Sequence, residues 1–295
     1  MSADLTRMKF AISYSPPYHG TDPDTIIAYA RHAEDCGFEA LYLPEHVALY
    51  RGAAIGALEL PSSLPYLDPL DCLSFVAAAT CRLLLGTAVL VLPYHHPVIL
   101  AKRLATIDVL SRGRMRLLTV GIGALPGEAQ AVGVDFRTRG RRADEAIDVL
   151  RLLWAGGEDG VSFHGEFFAF DDLFSVPRPH GSTGLPIHVG GSTRAAARRA
   201  GRLGDGYFPG GIVHPDERAV QLEIARAAAA EAGRDPNALE YTRSASIDLT
   251  VARAEELTAQ GVTRVVVSSP ATEPAEQRAE MFAFARRFGL GKQSD

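Results

Sequence analysis

The sequence predicts an α/β fold, a single (β/α)8 TIM barrel. Two observations carry this expectation: short β-branched runs alternate with amphipathic stretches along the whole chain, and eight such pairs occur with no linker between two halves. Alternation of this kind requires crossover connections, so the strands are expected to be parallel rather than paired as hairpins. A chain of 295 residues that is 47% hydrophobic can bury a core of that size.

The pairs follow in order. Residues 9–14 form the first strand, and Thr21-Asp22-Pro23 opens the first helix, where Asp22 can cap exposed amides and Pro23 suits the first turn. Ile26, Ala30 and Ala33 share one face, and Gly37 ends the helix. Ala40–Leu43 is the second strand, followed by a long loop rich in Gly and Pro and a helix over Pro69–Ala79. The third strand spans 83–92, and Pro97 opens a helix with Leu100, Leu104 and Ile107 at core spacing. Strand four covers 115–120. The clearest helical period runs over 141–154, where Ala143, Ala146, Ile147, Leu150, Leu153 and Trp154 line up opposite Arg142, Asp144, Glu145 and Asp148. The remaining strands are 187–189, Gly206–Phe208, 241–249 and 262–268. Their helices are Arg194–Leu203, 215–232, 252–260 and Pro274–Phe288. The rhythm breaks only at 155–186, which alternates over 161–170 around a turn at Gly165-Glu166. That segment is expected as an insertion before strand five, lying at the C-terminal rim as a lid, within one domain covering 1–295.

A formal net charge of −5, with Arg dispersed among Glu and Asp, leaves no basic face for a polyanion, so nucleic acid is not an expected partner. No window approaches the roughly 20 uninterrupted apolar residues of a membrane span. Residues 1–7 carry Asp4 and run straight into a strand, unlike a secretory signal, so a cytoplasmic protein without a membrane partner is expected. Cys36, Cys72 and Cys81 lack CxxC spacing and lie in or beside apolar helical segments, which predicts buried thiols.

In such a barrel, the polar groups aimed at a ligand stand at the C-terminal ends of the strands. Strand two ends in Pro44-Glu45-His46, a possible acid/base pair, because imidazole changes charge near neutral pH and a neighbouring carboxylate can bias it. Strand four ends in Gly121-Ile122-Gly123, either a tight turn that leaves room for a flat ring or a plain structural turn. The third-glycine spacing and the acidic residue about 20 positions on that a dinucleotide fingerprint needs are not in a βαβ frame here. Strand five ends in Gly190-Gly191-Ser192-Thr193 before a helix, where free amides and the helix dipole favour a phosphate. The competing reading is an ordinary turn capped by Ser192 or Thr193. His95-His96 before Pro97 suggest a metal, but neighbours in an extended segment point apart and no ligand set accompanies them. No metal is therefore expected; His96 reads as leading into the helix and His95 as exposed or cleft-lining. GxSxG, P-loop and HExxH motifs do not occur, so hydrolase and nucleoside-triphosphatase readings lack their anchors.

Three ordered segments, Leu85-Gly86-Thr87-Ala88-Val89-Leu90-Val91-Leu92-Pro93, His96-Pro97-Val98-Ile99-Leu100-Ala101-Lys102 and Leu104-Ala105-Thr106-Ile107-Asp108-Val109-Leu110-Ser111-Arg112-Gly113-Arg114, resemble the central signature of the luciferase-like monooxygenase family. The similarity is to the bacterial-luciferase-like, F420-dependent oxidoreductase branch. It continues through Val120-Gly121-Ile122-Gly123, Phe163-His164-Gly165-Glu166-Phe167-Phe168 and Pro186-Ile187-His188-Val189-Gly190-Gly191-Ser192 to Arg202-Leu203-Gly204-Asp205-Gly206-Tyr207. It covers the chain from Lys9 to about Gly211.

The resemblance implies a redox enzyme that binds a flavin-type ring at the barrel mouth. It implies a bulge in strand three with a non-proline cis peptide at Ala88-Val89 supporting the ring, and Gly190, Gly191 and Ser192 on the cofactor phosphate. His46 would be the catalytic histidine, preceded by Glu45 where Asp is commoner in the family. The implied cofactor is coenzyme F420, exchanging a hydride with a small organic substrate. The alternatives are an FMN-dependent monooxygenase using oxygen, and a non-catalytic flavin-binding relative. One departure stands out: some deazaflavin-dependent sugar-phosphate dehydrogenases carry Glu directly after the glycine turn of strand four, whereas this chain has Ala124 there and Glu128 as its nearest carboxylate. A phosphorylated sugar is therefore not the expected substrate. Relatives pair through the helices following strands two and three, which implies a homodimer.

Overall fold

The structure, a computed structural model, describes residues 5–181, 184–211 and 213–291. Eight parallel strands form the barrel: β1 Lys9–Ser13, β2 Ala40–Leu43, β3 Leu84–Thr87 resuming as Leu90–Val91, β4 Leu118–Gly121, β5 Ile187–Gly190, β6 Gly206–Phe208, β7 Glu240–Ser246 and β8 Arg264–Ser268. β1 lies between β2 and β8. The ring closes through the two halves of β3, because Leu84–Thr87 pairs with β2 while Leu90–Val91 pairs with β4. Gly86 also bridges Leu117 across the same seam.

Each strand leads to a helix: α1 Pro23–Asp35, α2 Pro69–Ala79, α3 Pro97–Leu110, α4 Arg139–Ala155, α5 Arg194–Leu203, α6 Pro215–Glu231, α7 Val251–Ala259 and α8 Pro274–Phe288. α1, α2, α3, α6 and α8 begin with proline, which fits a position whose N–H a helix leaves unbonded. Asp22, Asp68, Thr193 and Thr250 cap their helices through side-chain oxygens, as the first-turn amides require. No helix among the described residues is long and apolar enough to cross a membrane.

The expected strands and helices are present within a few residues of their predicted ends, and the 155–186 segment reaches the expected rim only with the tip of its hairpin, beside Arg142 and His96. A segment that joins the end of a helix to the next strand starts at the amino-terminal side of the barrel, because each helix runs back from the strands' carboxyl ends. Its hairpin, Val161–His164 and Ala169–Leu173, then returns along the outside of α4. The Glu145 carboxylate accepts bonds from the amides of Glu166, Phe167 and Phe168 at 2.9, 3.0 and 2.7 Å, and so fixes the turn at Gly165-Glu166. Arg142 stacks over Phe168 at 4.6 Å, and the Phe168 ring lies edge-on to His96. The hairpin is thus bolted to the barrel wall instead of forming a lid. The thiol expectation also needs correction: Cys36 and Cys72 are buried, but Cys81 is exposed. It follows the end of α2, in a turn whose amides from 81 to 83 bind Glu34.

Inside the barrel, Ala11, Ala40, Tyr42, Leu117, Phe208 and Val266 make an apolar middle. Below it, at the amino-terminal ends of the strands, Arg264 is buried with its Nε 2.8 Å from Glu39 and a second contact to Glu240. His188 lies beside this cluster, its Nε2 3.6 Å from Glu240. Burial pushes the His188 imidazole from 6.5 down to about 4, with Glu240 opposing only in part. Between these two values the unfolded chain takes up a proton that the folded chain refuses, so stability falls as pH drops from 6.5 toward 4. The loss from this group amounts to about 3 kcal/mol. Urea unfolding across that range is expected to show this slope in the native protein and a weaker one in His188→Gln; equal slopes would assign the loss elsewhere.

Candidate active site

A cavity of about 490 Å³ opens at the carboxyl ends of β2 to β5. This is within the usual range for small-molecule and cofactor sites. Glu45 and His46 line it from β2, Ala88, Val89 and Val91 from β3, Gly121, Ile122 and Gly123 from β4, and Gly190, Gly191 and Thr193 from β5. Eight of the nine sequence-predicted site residues therefore meet in one cavity. Ser192 is not on its lining; its carbonyl instead accepts a bond from Gln221 Nε2 at 3.0 Å. None of residues 155–181 or 184–186 lines the cavity. The outer wall comes from Ile55 and Tyr66, in the loop after β2, and from Glu128, Phe136 and Arg139 after β4.

The floor is the break in β3, where the Ala88–Val89 peptide is cis. A Cβ placed on Gly121 would lie 2.6 Å from Val89 Cγ2, and one on Gly190 would strike Val89 Cγ1. A Cβ on Gly123 would meet the Tyr94 hydroxyl. The space beside these three glycines is thus taken up by side chains of the protein, and their smallness seats the floor before it serves any ligand. Gly191 differs: its φ is +114°, a conformation that side chains resist, and only the Ala196 Cβ, at 3.1 Å, would crowd a substituent. It stands at the start of α5, where Thr193 Oγ1 bonds the Ala196 amide at 3.1 Å.

Glu45 and His46 do not pair with each other. Successive side chains of an extended segment diverge, and each finds a partner brought by another strand. Glu45, 6% exposed, accepts the Val91 amide at 2.5 Å and lies 2.9 Å from His95 Nε2. It ties the second half of β3 to the end of β2. His95, expected as exposed or cleft-lining, is the half-buried partner in this clamp. Glu128, 1% exposed, sits in the short helix Pro126–Ala131. It accepts the Val47 and Ala48 amides at 2.6 and 3.3 Å and lies 3.3 Å from His46 Nδ1. A carboxylate at Nδ1 selects the Nδ1–H form of the neutral ring and leaves Nε2 with its lone pair. Tyr66 packs edge-on against the His46 ring, 4.7 Å between centroids, and burial raises its phenol above the usual range.

Arg139 is the cation of the cavity wall. It stacks 3.6 Å over Phe136, and its Nε and Nη1 donate to the carbonyls of Gly123 and Phe136 at 3.3 and 2.6 Å. Among the described residues no group of His, Cys, Asp and Glu is arranged to hold a metal ion. The roles of Glu128, His95, Tyr66 and Arg139 were not foreseen. Glu128 had one sequence signal, its place as the first acid after the β4 turn, but its union with His46 spans 82 residues.

The profile of a family described as luciferase-like monooxygenase matches residues 8–289. The chain belongs to the luciferase-like monooxygenase family. An uncharacterized protein of Mycobacterium tuberculosis is 31% identical over 280 residues, 89% of this chain and 94% of the relative. The F420-dependent glucose-6-phosphate dehydrogenase of Beutenbergia cavernae is 34% identical over 190 residues, covering 63% of this chain but only 52% of that enzyme. The 4-hydroxyprotoasukamycin monooxygenase of Streptomyces nodosus subsp. asukaensis is 29% identical over 266 residues, 86% of this chain and 67% of the relative. Among solved structures, the coenzyme F420-dependent tetrahydromethanopterin reductase of Methanopyrus kandleri has the same fold, with a TM-score of 0.72 at 18% identity over 95% of this chain and 97% of that one. The monooxygenase RslO1 of Streptomyces bottropensis superposes similarly, with a TM-score of 0.71 at 23% identity over 95% of this chain and 98% of that one. Membership in this luciferase-like family makes the protein an oxidoreductase, while its relatives divide between F420 and oxygen chemistry.

Removal of the Glu128 carboxylate would leave the Val47 and Ala48 amides without their partner and free the His46 ring. Glu128→Ala is expected to lose about 1–3 kcal/mol of stability, since buried donors without acceptors carry that penalty. Urea unfolding measures it, and an unchanged midpoint would show that the pairing is not formed.

Proposed function

We propose that this luciferase-like oxidoreductase uses coenzyme F420 to exchange a hydride with a small organic substrate, with His46 as its acid/base group. The observation that carries the reading is the His46–Glu128 pair on the wall of a glycine-floored cavity. The F420-dependent relative, 34% identical over its aligned part, supports it.

The residues present fit a planar cofactor bearing a phosphate. Gly190, Gly191 and Thr193, with the first turn of α5, would take the phosphate, because glycine backbone can approach closely and the helix start presents free amides. Ala88 and Val89 would support the ring, with the Gly121–Ile122–Gly123 turn along its edge. When bound, the deazaflavin supplies a carbon that accepts or donates a hydride. As a substrate alcohol is oxidised, its carbon loses the hydride and His46 Nε2 takes the hydroxyl proton, leaving a carbonyl product; the reverse reaction returns both. The Glu128 carboxylate at Nδ1 steadies the resulting imidazolium. Glu45 does not exchange protons here: it holds Val91, and through it the floor. The same reading makes the protein a cytoplasmic homodimer joined through α2 and α3, where Phe75, Ile99 and Leu110 are exposed.

A second reading, an FMN-dependent monooxygenase, is favoured by the longer alignment with the Streptomyces nodosus enzyme. Fluorescence titration with F420 and with FMN, followed by F420 bleaching or oxygen uptake with candidate substrates, separates the two. Oxygen uptake with FMN and no response to F420 would replace the first reading by the second.

Two substitutions test the roles. Gly191→Val forces a branched side chain into a left-handed conformation at the start of α5, and is expected to abolish coenzyme binding. His46→Ala is expected to keep the coenzyme dissociation constant within about twofold and to lower kcat by about 10²- to 10⁴-fold, the usual contribution of a positioned acid/base. Equal loss of binding in both would overturn the assignment.

A further inference from the structure

Beyond its oxidoreductase chemistry, the site carries information about the polarity of its substrate. The charged side chains on the cavity wall are Glu45, His46, Glu128 and Arg139. Both carboxylates are already engaged: Glu45 by the Val91 amide and His95, Glu128 by the Val47 and Ala48 amides and His46. Arg139 is turned onto two main-chain carbonyls and the Phe136 ring. A phosphate or carboxylate on the substrate would thus enter beside two buried carboxylates, with a guanidinium that already gives two of its five N–H groups to main-chain carbonyls. A cation would also gain little, because the carboxylate oxygens are buried and bonded elsewhere, and an unpaired charge is costly to desolvate.

The mouth of the cavity gives an independent observation. Of the thirteen large apolar side chains exposed among the described residues, three belong to its surroundings: Val47, Ile55 and Leu58, exposed by 48, 43 and 64%. Ile55 lines the cavity itself, and Leu58 is its direct cross-strand partner in the small hairpin Ala54–Ile55 and Leu58–Glu59, so the two side chains share one face. Val47 directly follows His46, which lines the cavity. An exposed apolar pair such as Ile55 and Leu58 at the edge of a cleft marks a place where something apolar binds.

We propose that the substrate is an uncharged, predominantly hydrocarbon molecule with a single hydroxyl or carbonyl group, whose oxygen meets His46 while its chain lies against Tyr66 and Ile55 and reaches out over Leu58. The inference rests on the reading of this cavity as the substrate site. Calorimetric titration of the F420-loaded protein with 2-octanol, 2-octanone, octanoate, octylammonium and glucose 6-phosphate tests it. The two neutral compounds are expected to bind at least about tenfold more tightly than the three charged ones, given the hydrocarbon burial they gain without a charge to desolvate. Leu58→Glu is expected to weaken 2-octanone binding about fivefold or more and to leave the F420 dissociation constant unchanged. A charged compound binding as tightly as the neutral pair, or an indifferent Leu58→Glu, would overturn the proposal. Failure of F420 to bind counts against the cofactor reading alone; the same panel titrated into the protein without coenzyme then decides the substrate class.

Discussion

Val89 sits in a notch that exists because two neighbouring strands present glycine at the facing positions, Gly121 on β4 and Gly190 on β5. A Cβ at either position would collide with the valine, so neither strand could approach β3 as it does with any larger residue. The barrel closes through that strand: its first half pairs with β2 and its second with β4, with the Ala88–Val89 peptide at the join. Closure of the fold and formation of the cavity floor are therefore one packing problem, and the glycines that look like ligand contacts are first of all its solution.

Two carboxylate–imidazole contacts then hold what surrounds the floor. Glu45 binds the Val91 amide and His95, on either side of the turn that carries β3 into α3. Glu128 binds the amides of Val47 and Ala48 together with His46, and so joins the loop after β2 to the short helix after β4. Both carboxylates are nearly inaccessible and accept several donors, the arrangement that makes buried charge tolerable. The consequence is a division of labour between neighbours in sequence, with Glu45 bracing the floor and His46 presented on the cavity wall, where the proposed reaction has it exchange a proton.

The barrel was legible in the sequence because its signals are local: β-branched runs, helix periods such as that over 141–154, and proline and aspartate at helix starts. The glycine turns were legible for the same reason, and eight predicted site residues converge on one cavity because strand ends in a parallel barrel all face the same way. What could not be seen is pairing across the ring. Adjacency in the chain suggested Glu45 with His46, yet extended backbone sends them apart, and their partners arrive from 50 and 82 residues away. The 155–186 segment reaches the rim but forms no wall of the cavity, because its alternating pattern gives a hairpin but not the surface it lies on, which is set by Glu145 of α4.

The departure at position 124 gains its meaning from this geometry. With alanine directly after the glycine turn, no carboxylate projects from that point into the cavity, and Ala124 adds to its apolar lining. The acid comes instead from Glu128, one helical turn later, and approaches His46 from behind, at Nδ1, while bonded to main-chain amides. Placed there, the carboxylate is taken up by His46 and the Val47 and Ala48 amides. An acid four positions later thus fixes the His46 ring, while Ile55, Tyr66, Ile122 and Phe136 give the cavity much of its apolar lining. That lining is what the proposed substrate, with one oxygen and little else to hydrogen bond, would need.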